Sequence, residues 1–361
     1  MKGSFLNRHS HNSWKNSLYF SIIKALLLFT ICFLEIYLFE SIWQRQQIIL
    51  KFYSTTQDLN TLRMWYDKPS TEIPLKDIVN KRFNFDRTHD NLIWQQNTLP
   101  IGNGYLGANI YGEITTERVT INEKTLWNGG PSHKRPHYNG GNSKSVGQNG
   151  TLFRHIQKLF KDGHYEDATR LCETLLGDND KEALGSYQAF GELQFDFLNE
   201  NQNNFFSYIR DLDLNTATSH VIYKYRGKDE NNYKVEREYF ASYPDKVICI
   251  RFRFDTESNV ECRFISFHDS STTVEANQIT VEGQLEDNAM KFNGKLYILP
   301  KNGKVNSKAK SLVISKTTDV TFFLTAATDY NNSYPEYRTA ETAGELNSRV
   351  QKVIDAAVAK G

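Results

Sequence analysis

From Met64 to about Tyr334 the chain is a succession of short stretches in which apolar and polar residues alternate, each ended by Gly, Asn or Asp. Alternation at period two puts successive side chains on opposite faces of a strand, a pattern that no helix sustains. YKVEREYFAS and DKVICIRFRFDT read as two such strands, joined across Tyr243-Pro244-Asp245, where proline interrupts the ladder. In the second, Ile248, Ile250, Phe252 and Phe254 share one face, opposite Val247, Cys249, Arg251 and Arg253. The first face is expected to pack inward and the second to be wetter. QLEDNAMKFNGKLYIL, with Asn293-Gly294 as a hairpin signal, and SLVISKTTDVTFFLTAATD read in the same way. So many strands in succession imply a mainly β fold, a large two-sheet antiparallel β-sandwich, rather than a parallel α/β sheet.

Three segments depart from this pattern. Residues 151–176 carry Ile156, Leu159, Phe160 and then Ala168, Leu171, Leu175 at helical spacing, and Gly163 divides them into two short helices. They follow a loop-like stretch at 138–150. Near the end, Thr342 and Glu345 form a capping-box signature before Leu346, Val350, Val353, Ile354 and Ala357 on one helical face. That stripe wants a partner, and the chain reaches Gly361 soon after; residues 340–361 are therefore read as the start of a linker helix cut short. The alternative is a terminal helix folded back on the sandwich. At the other end, a basic tail (1–17) precedes an apolar segment (18–43) whose charge-free core, Ala25 to Leu34, suits a signal-peptide h-region. No Ala-x-Ala-like site follows, which favours an uncleaved signal anchor over a cleaved signal. Either route puts the domain at 64–335 outside the cytosol, tethered in the first case to a membrane, with 44–63 as connector.

Composition narrows the function classes. The 43 basic and 42 acidic residues nearly cancel and show no clustered basic excess, which argues against a nucleic-acid partner. Nineteen Tyr, 23 Phe and five Trp suit half-buried strand faces. The four cysteines lack metal-type spacing, and no metal or cofactor is expected. Cys249 and Cys262, in consecutive candidate strands, can pair if the compartment is oxidising; the other reading is two buried thiols. Asn149-Gly150-Thr151 and Asn331-Asn332-Ser333 are glycosylation sequons if the host is eukaryotic.

The densest motif is Leu99-Pro100-Ile101-Gly102-Asn103-Gly104-Tyr105-Leu106-Gly107-Ala108. Its glycine spacing is neither that of a dinucleotide-binding turn nor that of a P-loop. There follow Ile121-Asn122-Glu123-Lys124-Thr125-Leu126-Trp127-Asn128-Gly129-Gly130-Pro131, Tyr187-Gln188-Ala189-Phe190-Gly191-Glu192-Leu193, Arg210-Asp211-Leu212-Asp213-Leu214 and Arg237-Glu238-Tyr239-Phe240-Ala241-Ser242. This ordered series closely resembles the N-terminal domain of family 95 glycoside hydrolases, the α-L-fucosidase family, over about residues 64–360; Met64-Trp65-Tyr66 looks like its opening strand. Extra residues lie between Pro69 and Leu99. Ala189 and Glu192 stand where the family has Pro and Asp, changes expected to touch a turn and a surface charge.

The resemblance implies hydrolysis of terminal α-L-fucosyl linkages with inversion, by a general acid and an activated water. In the family these groups stand in an (α/α)6 barrel that follows the sandwich, so no residue here inherits a catalytic role. The implied partners are that barrel, in cis or on a downstream fragment, and a fucosylated glycan. Among the residues themselves, Asp211 with Asp213 and Glu236 with Glu238 are same-face strand carboxylates, read as solvated charges. His133, His137, His155 and His164 read as surface or loop residues, and Ser266 to Ser270 only juxtaposes triad letters. Asn103, Gly104, Trp127, Asn128 and Gly129 are the candidates for a loop edging a sugar pocket, because Trp stacks on a sugar face and Asn both donates and accepts. Interdomain packing around a core Trp127 is the competing reading. A membrane-anchored carbohydrate-binding or purely structural module is the alternative for the whole chain.

Overall fold

The computed structural model describes residues 62–73, 89–135, 138, 150–175, 185–198, 205–333 and 335–360, all within one compact unit, Leu62–Gly361. The apolar segment 18–43, Cys32, Asn149 and most of the extra residues after Pro69 lie outside the described residues. Among the described residues no helix is long and apolar enough to cross a membrane.

The chain is mainly β, and every strand pairing is antiparallel. Its strands are β1 (Arg63–Tyr66), β2 (Leu99–Gly102), β3 (Leu106–Ile110), β4 (Thr116–Glu123), β5 (Gly191–Phe197), β6 (Phe205–Asp213) and β7 (Thr218–Arg226). They continue with β8 (Asn232–Ser242), β9 (Val247–Ser266), β10 (Ser270–Glu275), β11 (Gln278–Gln284), β12 (Lys291–Pro300), β13 (Lys304–Ser307) and β14 (Leu312–Thr328). The helices are α1 (His89–Asn97), α2 (Thr151–Lys161), α3 (Tyr165–Leu175) and α4 (Ala343–Val358). Hydrogen bonds join the strands in one sheet, with the order β1-β6-β7-β8-β9-β14-β12-β11-β10 and a branch β2-β3-β4-β5 that meets β9.

β9 is the junction. Val247 to Phe254 pair with β8, whereas Val260 to Ser266 pair with β5. β14 follows β9 along both halves, with its register shifting between Ile314 and Asp319. The sequence reads β9 as two strands because the polar run Asp255 to Asn259 resembles a break; the chain instead continues through it as a single 20-residue strand. The expected inward face holds: Ile248, Ile250, Phe252 and Phe254 are buried in the main core. There Phe195 of β5 meets Phe252 at 5.1 Å and Phe322 of β14 at 4.9 Å, edge-on arrangements that aromatic quadrupoles favour.

Cys249 and Cys262 are therefore on one strand, and both are free buried thiols. Thirteen residues of extended chain span roughly 40 Å, far beyond the reach of a disulfide. The Asn293-Gly294 hairpin expectation also fails, since both residues are interior to β12. Gly294 is there for space: a Cβ would sit 2.9 Å from the rings of Phe190 and Phe264. The turns that do reverse the chain are Ala276-Asn277 and residues 285–290.

The helical island divides at Gly163, as its spacing predicts. The capping box of α4 forms in full: the Glu345 N–H donates to the Thr342 hydroxyl, and the Glu345 carboxylate accepts from the Thr342 N–H. Its apolar stripe is satisfied within the chain. Ile354 and Ala357 pack on Val247, Cys249 and Phe323, the outer face that the sequence reading left wet, and Lys360 pairs with Asp245. α4 thus packs against β9, β12 and β14.

Candidate functional site

The motif-bearing loops are cross-linked to one another by hydrogen bonds. In the β2–β3 loop the Asn103 carbonyl oxygen accepts from the N–H groups of Tyr105 (3.0 Å) and Leu106 (2.8 Å). Its amide donates at 2.8 Å to the Ser242 carbonyl at the end of β8. Asn103 is buried, and its side-chain oxygen and amide both bond backbone groups, so it staples two loops. Gly104 takes φ +82, which favours glycine, and a Cβ there would meet open space. The turn presents Tyr105, whose ring lies 3.9 Å from the Lys124 ammonium and 6.3 Å from the ring of Tyr243.

After β4 the chain runs through Leu126 to Gly130 beside residues 185–188. Trp127 and Tyr187 form an isolated bridge, flanked by Asn128 N–H to Ser186 O (3.1 Å) and Gln188 N–H to Leu126 O (2.9 Å). The Asn128 side-chain oxygen accepts from both the N–H and the hydroxyl of Ser186. Gly185, at φ +66, allows this approach, since a Cβ there would lie 1.9 Å from the Asn128 carbonyl oxygen. From the β11–β12 loop, Asn288 donates to the carbonyls of Trp127 (2.9 Å) and Gly129 (2.8 Å). Asp287 accepts from the Gly129 N–H at 2.6 Å and from both ends of the Arg135 guanidinium at 2.8 and 2.7 Å. The guanidinium beside it holds the Asp287 carboxyl below its ordinary range.

Trp127 is not a core residue: it is 44% exposed, with Tyr187 42% exposed beside it, their ring centroids 6.1 Å apart and their planes tilted by 45°. Of the five candidates, Asn103, Asn128 and Gly129 shape the loops, Gly104 permits the turn, and Trp127 presents a side chain. Tyr187 was missed, although it opens one of the motifs; nothing local in the sequence pairs it with Trp127. Glu123 was missed as well. It is buried, and burial raises its carboxyl above the ordinary value despite hydrogen bonds from the Thr125 hydroxyl and N–H.

The other sequence candidates fall elsewhere. Asp211 is not a solvated charge: it is fully buried, held by Arg63 at 2.7 Å and by His220 at 3.1 Å. Glu192 is likewise buried against Arg118 rather than a surface charge. Glu236 and Glu238 are half-buried and lie within ion-pair distance of Arg253. His133, His155 and His164 are exposed, and the His268 ring bonds the Ala189 carbonyl at 2.8 Å. Asn331 is exposed in the turn after β14. Among the described residues no group of three or more His, Cys, Asp or Glu is placed to hold a metal.

Two surface grooves contain carboxylates. One, of about 290 Å³, has Glu282 as its acid. The other, of about 430 Å³, has Glu236, Asp255 and Asp319. Burial pushes Glu236 up, but Lys234 and Arg253 outweigh it and leave it lowered; Arg251 lowers Asp319. A glycosidic general acid needs the opposite shift.

The fold and its motif loops define an antiparallel β domain that presents half-exposed aromatic rings. Comparison with known proteins identifies which: the model of "Glycosyl hydrolase family 65, N-terminal domain" matches residues 64–333, and the chain belongs to that family. It is 31% identical over 201 residues to "Alpha-L-fucosidase 2" of Arabidopsis thaliana, covering 54% of this chain and 22% of that protein. It is 32% identical over 225 residues to "Probable alpha-fucosidase A" of Aspergillus niger, covering 61% and 25%. The chain thus spans about a quarter of the length of these relatives. These α-fucosidases agree with the resemblance read from the motifs, although the matching family model carries the number 65 rather than 95. Among solved structures, a "Putative kojibiose phosphorylase from human microbiome" aligns with TM-score 0.43 and 9% identity, over 71% of this chain and 32% of that one.

Proposed function

We propose that this chain is the non-catalytic N-terminal part of an α-L-fucosidase-type glycoside hydrolase. On this reading terminal α-L-fucosyl linkages are hydrolysed with inversion by an (α/α)6 barrel outside the described residues. The strands stack as the two layers of a sandwich, a reading supported by the meeting of Phe195 with Phe252 and Phe322 across the core. The observation that carries the functional proposal is the rigid, aromatic-rich surface of the motif loops, with Tyr105, Trp127, Tyr187 and Tyr243 each more than a third exposed. Such a surface suits contact with a catalytic partner that supplies the acid and the water-activating group. The lowered carboxyls of Glu236 and Asp319 in the larger groove speak against their serving as a glycosidic acid. The domain lies outside the cytosol, in keeping with an N-terminal signal or membrane anchor at 18–43.

The purified 361-residue chain is expected to release no fucose from an aryl α-L-fucoside. Release of fucose that a single carboxylate substitution abolishes defeats the proposal.

A further inference from the structure

The sequon Asn331-Asn332-Ser333 lies in the turn between β14 and α4, and the functional reading above leaves it unused. The backbone of that turn is fully engaged. Tyr330 and Arg338 form an isolated bridge at its base, and the Asn331 N–H donates to the Tyr337 carbonyl at 3.2 Å. The Tyr337 N–H donates to the Ser333 carbonyl at 2.9 Å, and the Ser333 N–H to the Asn331 carbonyl at 2.8 Å. This last bond folds the tripeptide into a tight three-residue turn. The side chains are differently placed. Asn331, Asn332 and Ser333 are all exposed. Among the described residues the Asn331 amide and the Ser333 hydroxyl have no hydrogen-bond partner, so neither is needed to hold the turn. We propose that Asn331 is an acceptor for an N-linked glycan.

The chemistry asks for an asparagine amide two residues before a hydroxyl, with a residue other than proline between them, and Asn332 satisfies that. In the transfer, the anomeric carbon of an oligosaccharide carried on a polyprenyl diphosphate forms a bond to the Asn331 Nδ2. The bond from that carbon to the diphosphate oxygen breaks, the polyprenyl diphosphate leaves with the electron pair, and the amide gives one proton to a base of the transferase. The linked amide stays neutral and keeps one N–H. What the fold then decides is whether so bulky and hydrated a group is tolerated. A buried or hydrogen-bonded asparagine would have to be torn from its partners, whereas Asn331 gives up nothing. The inference rests on the functional reading in one respect, the delivery of the domain outside the cytosol.

The test is synthesis of the full chain in a eukaryotic secretory host, with a known acceptor tripeptide appended after Gly361 to report entry into the lumen. A second form carries a cleavable signal peptide in place of residues 1–43, which lie outside the compact unit Leu62–Gly361. Each is treated with peptide N-glycosidase in heavy-oxygen water and mapped by peptide mass spectrometry. Labelled conversion of Asn331 to Asp is expected, with N331Q and S333A each losing one glycan-sized step on a gel. S333T, which keeps the hydroxyl, retains the glycan, and N149Q, which removes the other sequon, leaves Asn331 modified. A melting temperature unchanged in N331Q shows that the turn holds without the amide. Bare Asn331 in a chain whose appended tripeptide is glycosylated overturns the inference. Modification of Asn331 only in the form with the added signal upholds the acceptor site and defeats the reading that the chain's own N-terminus takes the domain out of the cytosol.

Discussion

Two arginines that carry the motif resemblance act as pins inside the molecule. Arg237 is fully buried and donates to Glu117 at 2.9 Å, to the Tyr223 hydroxyl at 2.6 Å and to the Ile114 carbonyl at 3.1 Å, with its guanidinium 3.9 Å over the Phe197 ring. Arg210 is equally buried; it donates to the Lys68 carbonyl at 3.0 Å and rests 4.2 Å over Tyr66. Removing one partner of a buried pair strands the other charge, so R237M is expected to cost about 3–5 kcal/mol in denaturant unfolding. Burial raises Glu117 above its ordinary 4.5, against the lowering by Arg237. A raised carboxyl favours the fold most below about its unfolded value, and that contribution is lost as pH rises through the folded value. E117Q should flatten this limb of the stability profile. Asp287 behaves oppositely: lowered by Arg135, it stabilises above 3.8 and loses that contribution as pH falls through its folded value. D287N should therefore remove part of the acid-side loss in melting temperature, and should also loosen the Trp127 loop. That Arg237 and Arg210 belong to motifs is visible in the sequence. That they are buried is not, because their partners Glu117 and Lys68 lie far away in the chain.

Elements with local signals were legible. The capping box of α4, the Gly163 break and the inward face of β9 each follow from residues a few positions apart. What failed depended on distant partners. Asn293-Gly294 has the chemistry of a turn, yet Phe190 and Phe264 require a glycine in mid-strand. The stripe of α4 seemed unpartnered because Phe323 and Cys249 are invisible neighbours in sequence. This packing makes Cys249 a reporter, since burial pushes its thiol up to about 12. T342A should weaken the helix by about 1 kcal/mol. The check is the rate of Cys249 modification by a thiol reagent, expected to rise in T342A while Cys262, buried between β5 and β14, stays unreactive.

At the scale of the whole molecule, β1 to β4 are not an appendage of the later strands. β1 pairs with β6, β4 pairs with β5, and Asn103 reaches Ser242, so the two portions grip at separate places. The chain crosses between them through the exposed turn at Asp162-Gly163-His164. Backbone continuity at that turn is thus dispensable to the ladders on either side. A protease site inserted at Gly163 and cut should yield two pieces that co-elute on native gel filtration and part only in denaturant. Separate elution without denaturant is the contrary result. If the pieces stay together, the halves can be made as separate polypeptides and mixed, and the molecule becomes a reconstituting pair whose assembly reports on whatever is fused to each half.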